Sequence, residues 1–248
     1  MVVKGTRLDL ALVKRGLAPS RAQAQDLIRR GLVAVAGKVE LRAAAGVGAD
    51  EAVAVAPVPR YVSRGGLKLA AALDHFGFAV AGLAALDIGA STGGFTEVLL
   101  ARGAAKVYAV DVGHGQLNPG LARHPAVVSL EGCDARALNG SLVPEAIGAI
   151  VADVSFISLT KALPAALALA APKAWLIGLI KPQFEAGRSA VGKGGIVRAA
   201  ADRQRAVEFV AGWLGAQPGW RLAADVIASP IRGGSGNQEF LIGAVHGG

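Results

Sequence analysis

From Leu83 to Val245, short and continuously apolar runs alternate with amphipathic ones. The apolar runs lie near Leu83–Ile88, Lys106–Val110, Val127–Leu130, Ile147–Val151, Trp175–Ile180, Arg221–Ala228 and Glu239–Val245. Runs of this length without a polar face suit strands covered on both sides. The amphipathic runs near Gly94–Ala101, Pro119–Ala122, Leu159–Leu169 and Ala199–Leu214 predict helices. Strand and helix in turn, joined by short loops, predict an α/β fold with a parallel, doubly wound sheet. The last two strands have no helix between them. They are expected to pair antiparallel through Gly233-Gly234-Ser235-Gly236-Asn237, which leaves one reversed edge strand.

Residues 1–56 follow another pattern and read as a separate small α+β module. Thr6 is placed to cap a helix whose third position is Asp9, with Leu8, Leu12 and Val13 as its apolar stripe and Gly16 as its stop. Ser20 begins a second helix that Gly31 ends. On it Arg21, Gln25 and Arg29 share a face, with Arg30 beside them. Short strands are expected at 32–35, 39–41 and 52–55, the first two joined at Gly37-Lys38. Pro57-Val58-Pro59-Arg60 reads as a stiff linker, residues 57–60. The larger domain, residues 61–248, opens with Tyr61-Val62-Ser63-Arg64-Gly65-Gly66-Leu67-Lys68-Leu69 and a helix to about Phe76.

Charge adds a partner to this picture. The chain of 248 residues carries a net +8, and residues 1–60 hold ten Lys or Arg against five Asp or Glu. Such a concentration in the smaller part points to RNA or DNA, with Arg7, Lys14, Arg15, Arg21, Arg29, Arg30 and Arg60 as candidate contacts. The single Cys133 excludes a disulfide framework and cysteine zinc sites, and reads as a small buried hydrophobe. His75, His114, His124 and His246 lack ligand spacing, so no metal is expected. Residues 1–17 mix five charges into their apolar positions, unlike a secretion signal. The apolar stretch Ala162–Ile180 is broken by Pro164, Pro172 and Lys173, whereas a membrane span needs ~20 apolar residues. A soluble, cytoplasmic protein is expected.

The candidate chemistry centres on Leu86-Asp87-Ile88-Gly89-Ala90-Ser91-Thr92-Gly93-Gly94-Phe95-Thr96, the end of a strand, a glycine-rich turn and the start of a helix. A phosphate-binding P-loop needs a Lys after its last glycine, and Phe95 stands there. The G-x-S-x-G-G spacing also departs from the dinucleotide fingerprint. Asp87 in the strand suits the cationic amino group of S-adenosylmethionine (SAM). Asp111, ending the next strand, stands where an acid would take two ribose hydroxyls. Asp134, Asp153 and Lys181 end the three strands that follow. Polar groups ending consecutive strands on one edge describe a site. The cofactor candidates are Asp87, Gly89, Ser91, Gly93, Gly94, Phe95, Asp111, Val112, Asp134, Ala135 and Asp153.

The small module, with R-L-D near its start, S-R-x-x-A-x-x-L-I at its second helix and G-x-V-x-V-x-G-K after it, resembles the RNA-binding S-four domain. S-R-G-G-x-K-L, D-I-G-A-S-T-G-G-F-T, A-D-V-S-F-I-S-L, L-I-K-P-Q-F-E, G-K-G-G-I-V-R and S-P-x-x-G-x-x-G-N-x-E-F together resemble the TlyA (haemolysin A) family, over nearly the whole chain. The resemblance implies a Rossmann-like methyltransferase sheet of FtsJ type and SAM-dependent 2′-O-methylation of rRNA. It implies a cytidine of the large subunit as target, in some members also one of the small subunit. It also implies a catalytic set of Lys68, Asp153, Lys181 and Glu239. Lys181 is then the candidate base, Phe156 a platform for a splayed base, and Arg64 and Arg136 phosphate contacts. A membrane-active haemolysin and a non-catalytic ribosome-assembly factor are the alternatives.

Overall fold

The structure is a computed structural model that describes residues 5–29, 31–56 and 61–247. The linker 57–60, with Arg60, and Arg30 lie outside the described residues. Two compact units divide the chain, Met1–Arg60 and Tyr61–Gly248.

In the first unit β1 (Thr6–Arg7) pairs antiparallel with β4 (Gly46–Val47), and α1 (Leu8–Lys14) and α2 (Arg21–Arg29) pack together. The strands β2 (Val33–Val35), β3 (Lys38–Val39) and β5 (Val53–Val55) form a second small sheet in the order β3-β2-β5. Leu8, Leu12, Ala24, Ile28, Val33 and Val47 fill its core. Ser20 caps α2, its Oγ accepting from Gln23 N at 3.3 Å. Thr6 does not cap α1. It lies in β1, the cap position falls on Arg7, and no side chain caps the helix there. Asp9 instead faces inward, fully buried. Its carboxylate accepts from Arg7 (3.1 Å), Arg21 Nε (2.9 Å), Gln25 Nε2 (2.9 Å) and Leu10 N (3.0 Å).

The second unit runs α3 (Gly65–Phe76), β6 (Ala84–Ile88), α4 (Gly94–Ala101), β7 (Lys106–Asp111), α5 (Pro119–Ala122), β8 (Val127–Glu131) and β9 (Ile147–Ala152). It continues through α6 (Leu159–Ala162), α7 (Pro164–Leu167), β10 (Ala170–Ile180), α8 (Pro182–Glu185), α9 (Ala200–Gly215), β11 (Trp220–Leu222), β12 (Ile227–Ala228) and β13 (Phe240–His246). The sheet order is β11-β13-β10-β9-β6-β7-β8, with β12 also on β13. Strands β6 to β10 are parallel and β13 is antiparallel to its neighbours. Side chains alternate between the two faces. Ala85, Val107, Val151 and Ile177 meet Leu69, Leu73, Val98 and Leu99 of α3 and α4. Leu86, Tyr108, Ile150 and Leu176 meet Leu159, Leu163, Val210 and Leu214 of α6, α9 and the intervening turn.

Three expectations change here. The reversed strand is not at the edge, since β13 sits between β10 and β11. Its Leu241, Ile242 and Ala244 are fully buried, which an edge position would not provide. The predicted strand 221–228 is two short ones, β11 and β12, both paired to β13. The predicted helix 159–169 divides at Pro164, which has no N–H to continue the ladder and starts a new turn instead.

The Asp9 hub sets a prediction. Asp9→Ala leaves two half-exposed arginines without their shared acceptor, at a cost of about 1–3 kcal/mol. Hydrogen exchange should accelerate in α1 and α2 and stay unchanged in β6 and β9. Arg7, then Gln25 and Arg21, hold the Asp9 carboxyl well below the usual range against its burial. Its stabilisation is therefore full above pH ~4 and is lost as pH falls toward the depressed folded value.

Candidate active site

Five separate segments meet at the carboxyl ends of β6, β9 and β10. Glycines allow this approach. A Cβ on Gly89 would lie 2.6 Å from the Asp153 carbonyl oxygen, and one on Gly94 would lie 2.0 Å from Ser63 Oγ. Gly89 thus brings the first turn against the end of β9, and Gly94 admits the segment leading into α3. That helix carries Lys68, whose Nζ donates to Glu239 Oε2 at 2.6 Å, just before β13. Lys181, ending β10, places its Nζ 2.7 Å from Asp153 Oδ1 and donates to Ser155 Oγ at 2.8 Å. The contact with Asp153 is a charge contact outside hydrogen-bond alignment. Lys68, Lys181 and Glu239 are all buried. Two ammonium groups so placed require a carboxylate each.

Lys68, Lys181 and Arg64 line one cleft of about 270 Å³ with Gly94, Phe95, Ser63 and Asp153. Beside it lies a larger cavity of about 810 Å³. Gly89, Ser91, Asp153 and Ser155 belong to both walls, so the two spaces adjoin. The larger one also takes Asp111, Val112, Asp134, Ala135, Arg136 and Phe156. Its size suits a nucleoside ligand. Asp111 accepts from Ser91 N and Gly113 N, 2.8 Å each, one on each oxygen. A carboxylate so engaged retains acceptor sites on both oxygens. Val112 is 68% exposed, an uncovered apolar wall. This donor set fits SAM, with acids for ribose hydroxyls and a cation, and an apolar surface for a ring.

Several expected residues lie elsewhere. Asp87 is fully buried and lines neither space. Its Oδ2 accepts from Thr96 Oγ1 at 2.6 Å, and its Oδ1 has no hydrogen-bond partner. A direct hold on a cofactor amine is thereby excluded in this conformation. Gly93 faces Leu117 and Leu121 and also lines neither space. Glu239 touches the cleft only through Lys68. Arg136 is held by Asp134, which its guanidinium keeps at a pKa of about 2, so it is no unpaired phosphate ligand. Cys133 is partly buried, packed against the main core on one side and lining the larger cavity on the other.

Phe156 is 90% exposed at φ 65°, with its ring 5.2 Å from that of Phe184. A phenylalanine with positive φ is strained, and such strain concentrates at ligand sites. Sequence reasoning missed Ser155 and Gln116. Ser155 sits two residues after Asp153, on the loop that leaves β9. Gln116 Oε1 accepts from Ser91 Oγ at 3.2 Å, and no pattern in the sequence signals it.

In the first unit the basic candidates divide. Arg15 is a brace, donating to the carbonyls of Glu51 (2.6 Å), Gly48 (2.8 Å) and Ala49 (3.0 Å). Arg7 and Arg21 are tied to Asp9, and Arg29 lies 3.4 Å from Asp26. Lys14 is exposed.

Residues 61–245 match the FtsJ-like methyltransferase family, and residues 6–52 match the S4 domain. The chain is 47% identical over 247 residues to the 16S/23S rRNA (cytidine-2′-O)-methyltransferase TlyA of Mycobacterium tuberculosis, covering 97% of this chain and 90% of that protein. It is 41% identical to Hemolysin A of Brachyspira hyodysenteriae, over 95% and 98% of the two chains. A solved structure, a putative hemolysin from Streptococcus thermophilus, matches at TM-score 0.73 and 37% identity, over 98% of this chain and 88% of that one. Among the described residues no helix is long and apolar enough to cross a membrane.

The burial of Asp87 sets a pH dependence. Burial first, then the nearby charges of Asp153 and Asp111, raise its carboxyl to about 7 against the opposing Thr96 bonds. The folded state then binds more protons than the unfolded one between pH ~4 and about 7, so stability falls as pH rises through that window, by up to ~1 kcal/mol per pH unit. Asp87→Asn should flatten this slope in denaturant titrations run across the window. An unchanged slope would assign the dependence to other groups.

Proposed function

Because the chain belongs to the FtsJ-like methyltransferase family, we propose that it methylates a ribose 2′-hydroxyl of an rRNA cytidine, on the ribosomal subunit in the cytoplasm. The observation that carries this is the adjoining of a cavity fit for SAM and a cleft holding two buried Lys–carboxylate pairs. Bound SAM supplies a methyl group on a cationic sulfur. Asp111, Val112, Asp134, Ala135 and Asp153 would hold it, with Gly89 and Ser91.

The chain must orient the hydroxyl and remove its proton. Lys181 Nζ already takes a hydroxyl neighbour, Ser155, at hydrogen-bond distance, and is the base in this reading. Asp153 fixes Lys181, and Glu239 fixes Lys68, whose cation stands in the same cleft. Phe156 offers its exposed ring to a base turned out of the strand, and Arg64 offers a cation to its backbone. The S4 domain supports RNA as partner, with Lys14 and Arg29 on its surface.

Purified protein incubated with labelled SAM and ribosomal subunits or rRNA from cells lacking it should place a 2′-O-methyl group on a cytidine. Absence of label in rRNA would overturn the proposal.

Two substitutions separate the roles. Asp111→Ala should weaken SAM binding by ~1.5–3 kcal/mol, roughly 10–150-fold in Kd by calorimetry. An unchanged Kd removes Asp111 from the cofactor site. Lys181→Arg and Lys181→Ala should both bind SAM and RNA yet lose single-turnover methylation to a similar extent, because a guanidinium cannot give up its proton. An active arginine variant with a flat pH–rate profile would make Lys181 an electrostatic residue.

A further inference from the structure

Three arginines of the second unit have no part in the chemistry above. Arg198, Arg203 and Arg232 line a third cavity of about 320 Å³, with Val197, Gly236 and Gln238. Three other arginines of this unit meet carboxylates, in Arg102–Asp74, Arg136–Asp134 and Arg205–Asp202. Among the described residues Arg198, Arg203 and Arg232 meet none. Arg203 Nη1 donates to the carbonyls of Arg198 (2.6 Å) and Val197 (3.2 Å), and Arg232 Nη1 to that of Gly236 (3.1 Å). Carbonyls fix the guanidinium planes but do not cancel their charge.

The cavity is preformed. Its walls are the end of the hairpin closed by the Gly192–Ile196 bridge with the residues that follow it, the first turn of α9, which carries Arg203, and the segment between β12 and β13. Asn237, only 1% exposed, joins them: its Oδ1 accepts from Val197 N at 2.9 Å, and its Nδ2 donates to Gly195 O at 2.8 Å. Helix α9 starts two residues after Arg198 without a capping side chain, and the acid of its first turn, Asp202, is paired with Arg205.

We propose that Arg198, Arg203 and Arg232 form a phosphate pocket that grips the sugar-phosphate backbone of the RNA substrate at a distance from the reacting ribose. This rests on reading the neighbouring cleft as the site of RNA methylation. Three arginines lining one space without a carboxylate call for an anion, and planar guanidinium forks match phosphate oxygens. The pocket offers no exposed ring on which a base would stack, so the contact is to backbone and independent of sequence. The loop that carries Arg232 runs on through Gly234, beside Arg64, to Glu239. One loop thus links the pocket to the cleft.

The test uses the full chain, with Arg198→Glu, Arg232→Glu and the double variant, and Arg232→Lys as the charge-keeping control. Arg203 is left in place because from α9 it braces the segment before the helix through the carbonyls of Val197 and Arg198. The double variant should raise KM for rRNA roughly tenfold and lower the salt dependence of RNA binding by about one to two counterions. Turnover at saturating RNA and the Kd for SAM should hold, and Arg232→Lys should recover most of the loss. A KM within about twofold of the parent with the same salt slope would overturn the pocket. So would a fall in turnover with KM unchanged, which marks a purely structural loop. Inorganic phosphate that binds the parent but not the double variant, with RNA binding equal in both, would assign the pocket to a small anion and overturn the RNA reading. If the parent itself transfers no methyl to RNA, the proposed function fails, and filter-binding of RNA to parent and variants still decides the pocket.

Discussion

A buried ammonium group without a carboxylate costs several kcal/mol, and this constraint organises the second unit. Lys68 comes from α3, Glu239 from the loop before β13, Asp153 from the end of β9 and Lys181 from the end of β10. Each pair ties together segments far apart in the chain; 171 residues separate Lys68 from Glu239. The pairing also bears on topology. Glu239 reaches Lys68 only if the chain returns to this edge before its last strand, and β13 then runs away from the site, antiparallel to β10. The reversed strand inside the sheet and the ion pair at its start are two sides of one arrangement.

Much of this was legible because both signals are local. The apolar runs of β6, β7 and β9 are continuous, and the acids that end strands follow them directly in sequence. The glycine turn was legible as a turn, yet its glycines serve a different end from the expected one. Gly89 and Gly94 make room for Asp153 and Ser63, and Gly93 for two leucines, so the turn packs neighbouring segments as much as it faces a ligand. Spacing reveals where a Cβ cannot be, but not which atom takes its place. Asp87 shows the same limit. An acid at the end of a strand near a glycine turn reads as a ligand contact, whereas Thr96, nine residues on, folds back to cap it inside the core.

In the first unit, basic residues were read as a charged face. The structure divides them by geometry that the sequence does not carry. Arg15 reaches carbonyls 33 to 36 residues away, and Asp9 gathers Arg7, Arg21 and Gln25 around one buried carboxylate. An arginine on an amphipathic helix has the same sequence signature whether it braces a loop or meets solvent. Only long-range contacts separate the two, so net charge was informative about the class of partner and uninformative about the residues that meet it.

The two spaces at the end of the sheet differ in charge balance: Asp111, Asp134 and Asp153 line the larger cavity with Arg136 and Lys161, and Arg64, Lys68 and Lys181 line the smaller cleft with Asp153 as its one acid. A cationic sulfonium cofactor and a polyanionic strand are thereby sorted to different sides before any specific contact forms. Asp153 stands on the shared wall, half-buried, and pairs with Lys181 across it. In the proposed reading, the carboxylate that faces the cofactor space is also the one that holds the lysine of the neighbouring cleft. Phe156, three residues along the same loop and strained at positive φ, stands at the outer rim of the larger cavity. Glu185 anchors the segment that follows through Ser158 Oγ (2.6 Å) and Leu159 N (2.8 Å). One short loop therefore carries the carboxylate, the serine and the exposed ring, and its fixed ends make their relative placement a property of the fold.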